Sequence, residues 1–339
     1  MKTKIVIAIS IGVISLIMGV AIGSANIPPF DVIRIIGYGL LGLELPEHIA
    51  DTRVAIVWSQ RLPRTLLAFI AGAALSVSGA VMQSVLRNPL ASSYTLGVSS
   101  GASLGASLVI LMGVTLPVMS VMTLPILGFL FGFATILLVM AIARKMDIRM
   151  DNHTIILAGM VFALFINAIT TLMFSFFREG VQQMIFWQMG SFRLQGWQTV
   201  YILAPVAAIG VFFISCFKWE LDVMTFGEEQ AQAIGVNLRR VKLTLLISAA
   251  ALTGSTIAFV GIIGFVDLVS PHVVRRIFGS AHRTVIPMSA LVGGTFMVLA
   301  DLAARTVTSP IELPVGAVTA IIGAPFFAYV YFSKRKGAA

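Results

Sequence analysis

Long apolar runs decide what this chain can fold into. They lie near residues 5–24, 62–85, 93–113, 120–143, 154–177, 199–217, 241–262, 263–279, 284–304 and 313–332. Crossing about 30 Å of hydrocarbon takes about 20 apolar residues in a helix. The sequence therefore predicts an all-α, polytopic membrane protein with about ten transmembrane helices. In 339 residues these runs leave room for links but for no second, soluble domain, so 1–339 is expected to form a single transmembrane domain. Between Val241 and Gly279 only Gly261 and Gly264 suggest a turn. The third and eighth spans are expected to be short or irregular, which a bilayer tolerates where the backbone is buried in protein. The segment Met1–Ala25 resembles a secretory signal, with Lys2 and Lys4, an apolar run and then Gly-Ser-Ala. Its run from Ile5 to Ile22 exceeds the roughly 7–15 residues of a signal core, so it reads as a retained first span.

Charge points the same way. Charged residues make up 11% of the chain, against roughly 25% in soluble proteins, so most of the surface must face lipid. The net charge of +9 does not indicate nucleic acid, because the basic residues form short clusters between apolar runs and no continuous stripe. With the N-terminus inside, 16 of the 23 Lys and Arg fall in cytoplasmic segments; Arg34, Arg53, Arg61, Arg64, Arg178, Arg193 and Arg305 fall outside. The cytoplasmic bias of basic residues then puts both termini in the cytoplasm. The single cysteine, Cys216, rules out an internal disulfide.

Glycines recur at every fourth residue in Gly97-Gly101-Gly105, Gly128-Gly132 and Gly19-Gly23. That spacing lets helix backbones approach closely, and these residues are expected to be scaffold. The chain contains no G-x-x-x-x-G-K-[ST] loop, no HExxH pair and no His/Cys cluster with metal-ligand spacing. Neither nucleotide hydrolysis by that route nor metal chemistry is expected of it, and no metal or other cofactor. An ion-coupled carrier should place acids within the bilayer. Only Asp267 sits well inside an apolar run, with Asp301 and Glu312 near span ends. A self-sufficient secondary transporter is therefore the rival reading, with Asp267 as its coupling acid, and energy is expected to come from a separate subunit.

Three polar features carry the functional reading. Arg61 and Arg64, in Arg-Leu-Pro-Arg, fall at the outer mouth of the second span. Pro63 suits a helix start, and residues three apart share one face, so both guanidiniums are expected to point outward together, as a docking contact for acidic residues of an external partner. Arg305 is a candidate for the same contact. Pro89 breaks the chain between spans two and three, in Arg87-Asn88-Pro89-Leu90. The longest polar cytoplasmic stretch, 218–240, includes Phe226-Gly227-Glu228-Glu229-Gln230-Ala231 and then Gly235, enough for one or two small helices that a separate motor could push.

The ordered set Arg61-Leu-Pro-Arg64, Gly72-Ala-Ala-Leu-Ser-Val-Ser-Gly79 with Gln83, Arg87-Asn-Pro-Leu-Ala91, Leu96-Gly-Val-Ser-Ser-Gly101, Gly264-Phe-Val, Pro271-His272 with Arg275, Ala300-Asp301 with Arg305, Glu312-Leu-Pro-Val-Gly316 and Gly323-Ala-Pro-Phe326 resembles the FecCD family of ABC importer permeases, over about 55–332. That family serves ferric siderophores, haem and cobalamin. The resemblance implies a type II ABC importer permease fold of ten helices in a bacterial cytoplasmic membrane. It also implies a homodimer, or a heterodimer with a related permease, with the translocation path on the twofold axis. Two cytoplasmic ATPase subunits would hold ATP and Mg, and an external substrate-binding protein would deliver the cargo. On the same resemblance, Arg61, Arg64 and Arg305 receive glutamates of the binding protein. Asn88, Leu90, Asn152 and His153 form a cytoplasmic gate, and Phe226, Gly227, Glu228, Glu229, Ala231 and Gly235 belong to the ATPase-coupling segment. Two departures from the family pattern are Asp267, where glycine is usual, and Ala281-His282-Arg283, where Asp-His-Arg is usual. A ferric siderophore is the expected cargo, with haem or cobalamin as alternatives.

Overall fold

The computed structural model describes residues 2–23, 27–46, 48–117, 119–147, 150–193 and 195–336, with side chains through Tyr329. Ser24 and Ala25 of the leader-like segment, and Arg149 of the basic residues, lie outside the described residues. Those described form helices and connections, with no strand among them.

Ten helices occupy the ten apolar runs. They are α1 (Lys2–Ala21), α3 (Asp51–Val85), α4 (Val98–Ile110), α5 (Thr123–Met146), α6 (Asn152–Phe176), α8 (Trp197–Ser215), α11 (Leu238–Val260), α12 (Val266–Phe278), α13 (His282–Thr306) and α14 (Val315–Lys336). Seven of them are long and apolar enough to cross a membrane. As expected, the third and eighth are short. At 13 residues each and about 1.5 Å per residue, α4 and α12 reach only about 20 Å. Residues 86–97, ahead of α4, run as turns and coil, exposed at Arg87, Pro89 and Leu90 and largely buried from Ala91 onward. The turn between α11 and α12 comes where the glycines suggested, at 261–264, with Gly261 at φ 76°.

Two small helices were not legible in the apolar runs. Helix α2 (Pro29–Leu41) buries Val32 and Ile35 against Val20, Ile49 and Val57, and its buried Asp31 accepts from His48 (3.3 Å) and Arg53 (3.4 Å). Helix α7 (Val181–Gln188) returns the chain from α6 to α8. Helix α3 also corrects the expectation that Pro63 opens a helix. It is continuous from Asp51 over 35 residues, with a π-helical turn at Ile56–Arg61 in which the Leu62 amide donates to Val57 O. One extra residue in the turn absorbs the hydrogen bond that a proline cannot make.

Helix α3 is the central pillar: its most apolar 18-residue window is 78% buried, against 22% for α6, which leaves Leu164 and Phe165 at the surface. Close approach of α3 to α13 and α12 is made by glycine. A Cβ on Gly72 would stand 2.2 Å from Gly293 O, and one on Gly79 only 1.9 Å from Asp267 O. Among the scaffold glycines, Gly101 meets Phe131 O at 2.6 Å, Gly105 meets Leu127 O at 2.4 Å and Gly19 meets Thr65, whereas Gly128 meets nothing nearer than Ala258, at 3.5 Å.

Candidate functional site

Polar residues gather at the two ends of the bundle. At the charge-rich end, residues 86–89 after α3, 151–156 at the start of α6 and 226–230 surround an open cleft of about 720 Å³. Asn88, Asn152, His153, Phe226, Gly227, Glu228 and Glu229 line it, so residues far apart in sequence, read as gate and as coupling segment, share one space. The others stand back. Leu90 is exposed beside it, Ala231 is buried in the main apolar cluster, and Gly235, at φ 92°, ends the small helix.

Local chemistry fixes each piece. Asn88 Oδ1 accepts from the Leu90 amide at 2.9 Å, closing an Asx-type turn around Pro89. Asp151 caps α6 by accepting from the His153 amide at 2.9 Å, and its own amide donates to Asp147 Oδ2 at 2.7 Å. The expected coupling segment folds as two small helices, α9 (Lys218–Met224) and α10 (Glu228–Ala233), joined through Gly227 at φ 137°. That backbone conformation is open to glycine and little else. Asn237 then caps α11 through the Arg240 amide at 3.1 Å.

Two side chains missed in the sequence tie this segment to the bundle. Lys242 is fully buried, and its Nζ reaches Glu228 Oε1 at 2.7 Å and Asn152 Oδ1 at 2.9 Å. Asp222 Oδ1 accepts from the backbone amide of His282 at 2.7 Å and pairs with its Nδ1 at 2.6 Å. Ala281, the residue ahead of α13, has no side chain able to cap; Asp222 supplies the cap from another helix. The network continues from His282 Nε2 to Ser84 Oγ at 2.7 Å, then through Arg275 to Gln83, whose amide donates to Asp267 O at 3.2 Å. We expect Asp222→Ala to lower stability by about 1–2 kcal/mol, the usual cost of a lost cap and a buried hydrogen bond, read as the unfolding midpoint of the detergent-purified protein.

At the opposite end Arg61, Arg64 and Arg305 do come together, but the expected outward pair is corrected. Arg61 is buried and turns back to donate to Val20 O (3.2 Å) and Ala21 O (2.8 Å), the last carbonyls of α1. Arg64 forks onto Asp301, with Nη2 to Oδ1 at 2.8 Å, and onto Glu312, with Nη1 to Oε1 at 3.1 Å. Arg305 shares Asp301 at 3.4 Å and donates to Ile22 O at 3.0 Å and to Gly19 O. The physical reason is that helix-end carbonyls and a buried carboxylate outcompete water for guanidinium donors. Sequence reasoning noticed Asp301 and Glu312 only as acids near span ends; the i, i+4 spacing of Asp301 and Arg305 was the available signal. Among the described residues, Asp267 pairs with no basic group. Its carboxyl group is buried in the first turn of α12 with the backbone amides of that turn beside it.

Comparison with known proteins is consistent over the whole length. The model of the FecCD transport family matches residues 11–333. An uncharacterized ABC transporter permease of Bacillus subtilis is 39% identical over 98% of this chain and 94% of its own length. A permease of an Fe(3+)-citrate import system, from the same organism, is 37% identical over 98% of this chain and 95% of its own. A solved structure described as an inward-facing ABC transporter of the metal-chelate type superposes with TM-score 0.85 at 28% identity, covering 98% of this chain and all of that one.

Proposed function

Because this chain belongs to the FecCD transport family, we propose that it is the membrane-spanning permease of an ATP-driven importer of iron chelates, with ferric siderophores as the foremost cargo. It works beside a second copy or a related permease in a bacterial cytoplasmic membrane, with both termini inside. ATP and Mg are held by two separate cytoplasmic ATPase subunits, and ATP drives the cycle because the motor binds the outward-open and inward-open states with different affinity. One observation carries the reading. The loops at Asn88 and at Asn152-His153 meet the 228–233 helix in a single cleft, so a push on that helix reaches the gate across one or two side chains. At the opposite end, Arg64 and Arg305 pair with two carboxylates while the neighbouring Arg61 bonds helix-end carbonyls, three guanidiniums against two acids. The surplus of positive charge suits acidic residues of an external binding protein, which must compete with the internal partners of Arg64 and Arg305. Iron chelate as cargo is supported by the Fe(3+)-citrate system in the name of one relative and by the metal-chelate type of the structural neighbour.

The test is co-purification of the chain with its cellular partners, then vanadate-sensitive ATP hydrolysis and uptake in proteoliposomes. Ferric citrate, a ferric siderophore, haem and cobalamin would be compared, each with its loaded binding protein. The expected result is ATP-dependent uptake of a ferric chelate. The double substitution Arg61→Glu and Arg64→Glu should cut stimulation by the binding protein about tenfold or more, read on complex that assembles to the wild-type level because both arginines also hold internal partners. Uptake by the chain alone, without ATP and abolished by collapsing the proton gradient, would overturn the reading and make Asp267 the coupling acid.

A further inference from the structure

Lys242 stands apart from the other basic residues of the charge-rich end. It lies near the start of α11 and is completely buried, although a lysine there could have extended its ammonium to water. Every donor direction is used within one small region: Glu228 Oε1 at 2.7 Å, Asn152 Oδ1 at 2.9 Å and Met150 O at 3.1 Å. Asn152 closes the triangle by donating from Nδ2 to Glu228 Oε1 at 3.2 Å. Met150 is buried and held at φ 53°. An L-residue visits that region only under constraint from its surroundings, and such constraint gathers at functional and switching sites. The three partners come from the turn before α6, the first residue of α6 and the first residue of α10; Lys242 itself is part of α11. One ammonium therefore joins three structural elements through two residues, Asn152 and Glu228, that line the cleft.

Stability alone does not explain this arrangement. Burying an ion pair costs desolvation that its attraction roughly cancels, and an apolar pair of the same volume usually serves as well or better. What an ion pair adds is directionality. It holds one geometry, and it is strong only while Glu228 stays within reach of the ammonium.

We propose that Lys242 is a positioning residue of the transport cycle, carrying movement of the 228–233 helix to the gate at Asn152 through this buried contact. The proposal rests on the permease reading above. When the helix is displaced, Glu228 leaves the ammonium and Asn152 loses one of its two partners. The ammonium, drawn after its counter-charge, then leaves the Met150 carbonyl, and the start of α6 is released. Sequence reading passed over Lys242 because it counted there only as one more cytoplasmic charge.

The experiment uses the full complex with ATPase subunits and binding protein, in proteoliposomes, and reads chelate taken up per ATP hydrolysed beside the unfolding midpoint. Three variants are compared: Lys242→Met, Glu228→Gln, and the double variant Lys242→Met with Glu228→Met. The double variant removes both charges and leaves neither unpaired. Its unfolding midpoint is expected to match or exceed that of the wild type, while uptake per ATP falls about tenfold, the size typical of a contact in a coupling path. Glu228→Gln, which leaves the buried ammonium an oxygen acceptor but no counter-charge, should lower the same ratio and the unfolding midpoint together. A double variant that regains both stability and the wild-type ratio would overturn the proposal and leave Lys242 a structural ion. So would Glu228→Gln at the wild-type ratio, even where the other variants fail to assemble. Failure of the permease reading itself looks different: the wild-type complex would then show no ATP-dependent uptake at all.

Discussion

Replacing Gly79 by valine is expected to keep the protein from folding stably in the membrane, whereas Gly128→Ala is expected to pass almost unnoticed. Both glycines lie in membrane-spanning helices, Gly128 in a four-residue glycine spacing and Gly79 in a stretch that resembles the family, so the sequence alone does not rank them. Their surroundings do. A Cβ at position 79 would sit 1.9 Å from the backbone oxygen of Asp267 and 2.6 Å from its carbonyl carbon, and backbone cannot swing aside as a flexible side chain can. Helix α3 would have to separate from α12, also breaking the bond from Gln83 to Asp267 O. Overpacking of this kind costs about 3 kcal/mol, at the high end for core substitutions, because no rotamer relieves it. At position 128 the nearest atoms to a new Cβ are those of Ala258, at 3.5–3.6 Å, an ordinary contact. There alanine restores up to about 1 kcal/mol of helix propensity. The comparison is read as monodisperse protein recovered in mild detergent and as the unfolding midpoint. A Gly79→Val protein as stable as the wild type would mean that α3 and α12 do not touch as described.

Arg64→Met is expected to have the second large effect, about 3–5 kcal/mol, the cost of leaving a buried partner charge uncompensated. Asp301 is almost fully buried and would keep only Arg305, at 3.4 Å and without good hydrogen-bond geometry; Glu312 would lose its partner. The exposed end of the cluster should matter much less. Glu312 is one-third exposed, so Glu312→Gln is expected to cost about 1 kcal/mol or less. Removing both central charges, with Arg64→Met and Asp301→Leu, should recover much of the lost stability, since matched apolar replacement leaves nothing unsatisfied. Measuring uptake on that double variant separates the two roles of Arg64. Recovered stability without uptake makes the arginine a docking residue, whereas recovered uptake makes it scaffold alone.

Much of this was legible before any coordinates. The ten apolar runs gave the helices that cross the bundle, because a bilayer admits few alternatives for a backbone that must satisfy its own hydrogen bonds. That the third and eighth spans, α4 and α12, would be short or irregular was expected too, the turn ahead of α12 being marked only by Gly261 and Gly264. Helix α2 was not, because a small helix with one apolar face leaves no continuous apolar run. The π-turn ahead of Pro63 was hidden as well, since Arg-Leu-Pro-Arg reads equally as the start of a helix. At the charge-rich end, Asn88, Asn152 and Glu228 could be named singly, yet no local pattern indicates that they share a cleft.

The sequence by itself determined the class of protein, the order of its apolar helices and which segments are polar. These depend on hydrophobic length and backbone satisfaction, which are properties of contiguous residues. Tertiary structure decided the partners: Arg64 with Asp301, Asp222 with His282, Lys242 with Glu228 and Asn152. The members of each pair are separated by 60 residues or more, except Lys242 and Glu228, which stand on different helices 14 apart. A charge takes the nearest partner that burial leaves it, and nearness across a folded bundle is set by how helices pack rather than by their order along the chain.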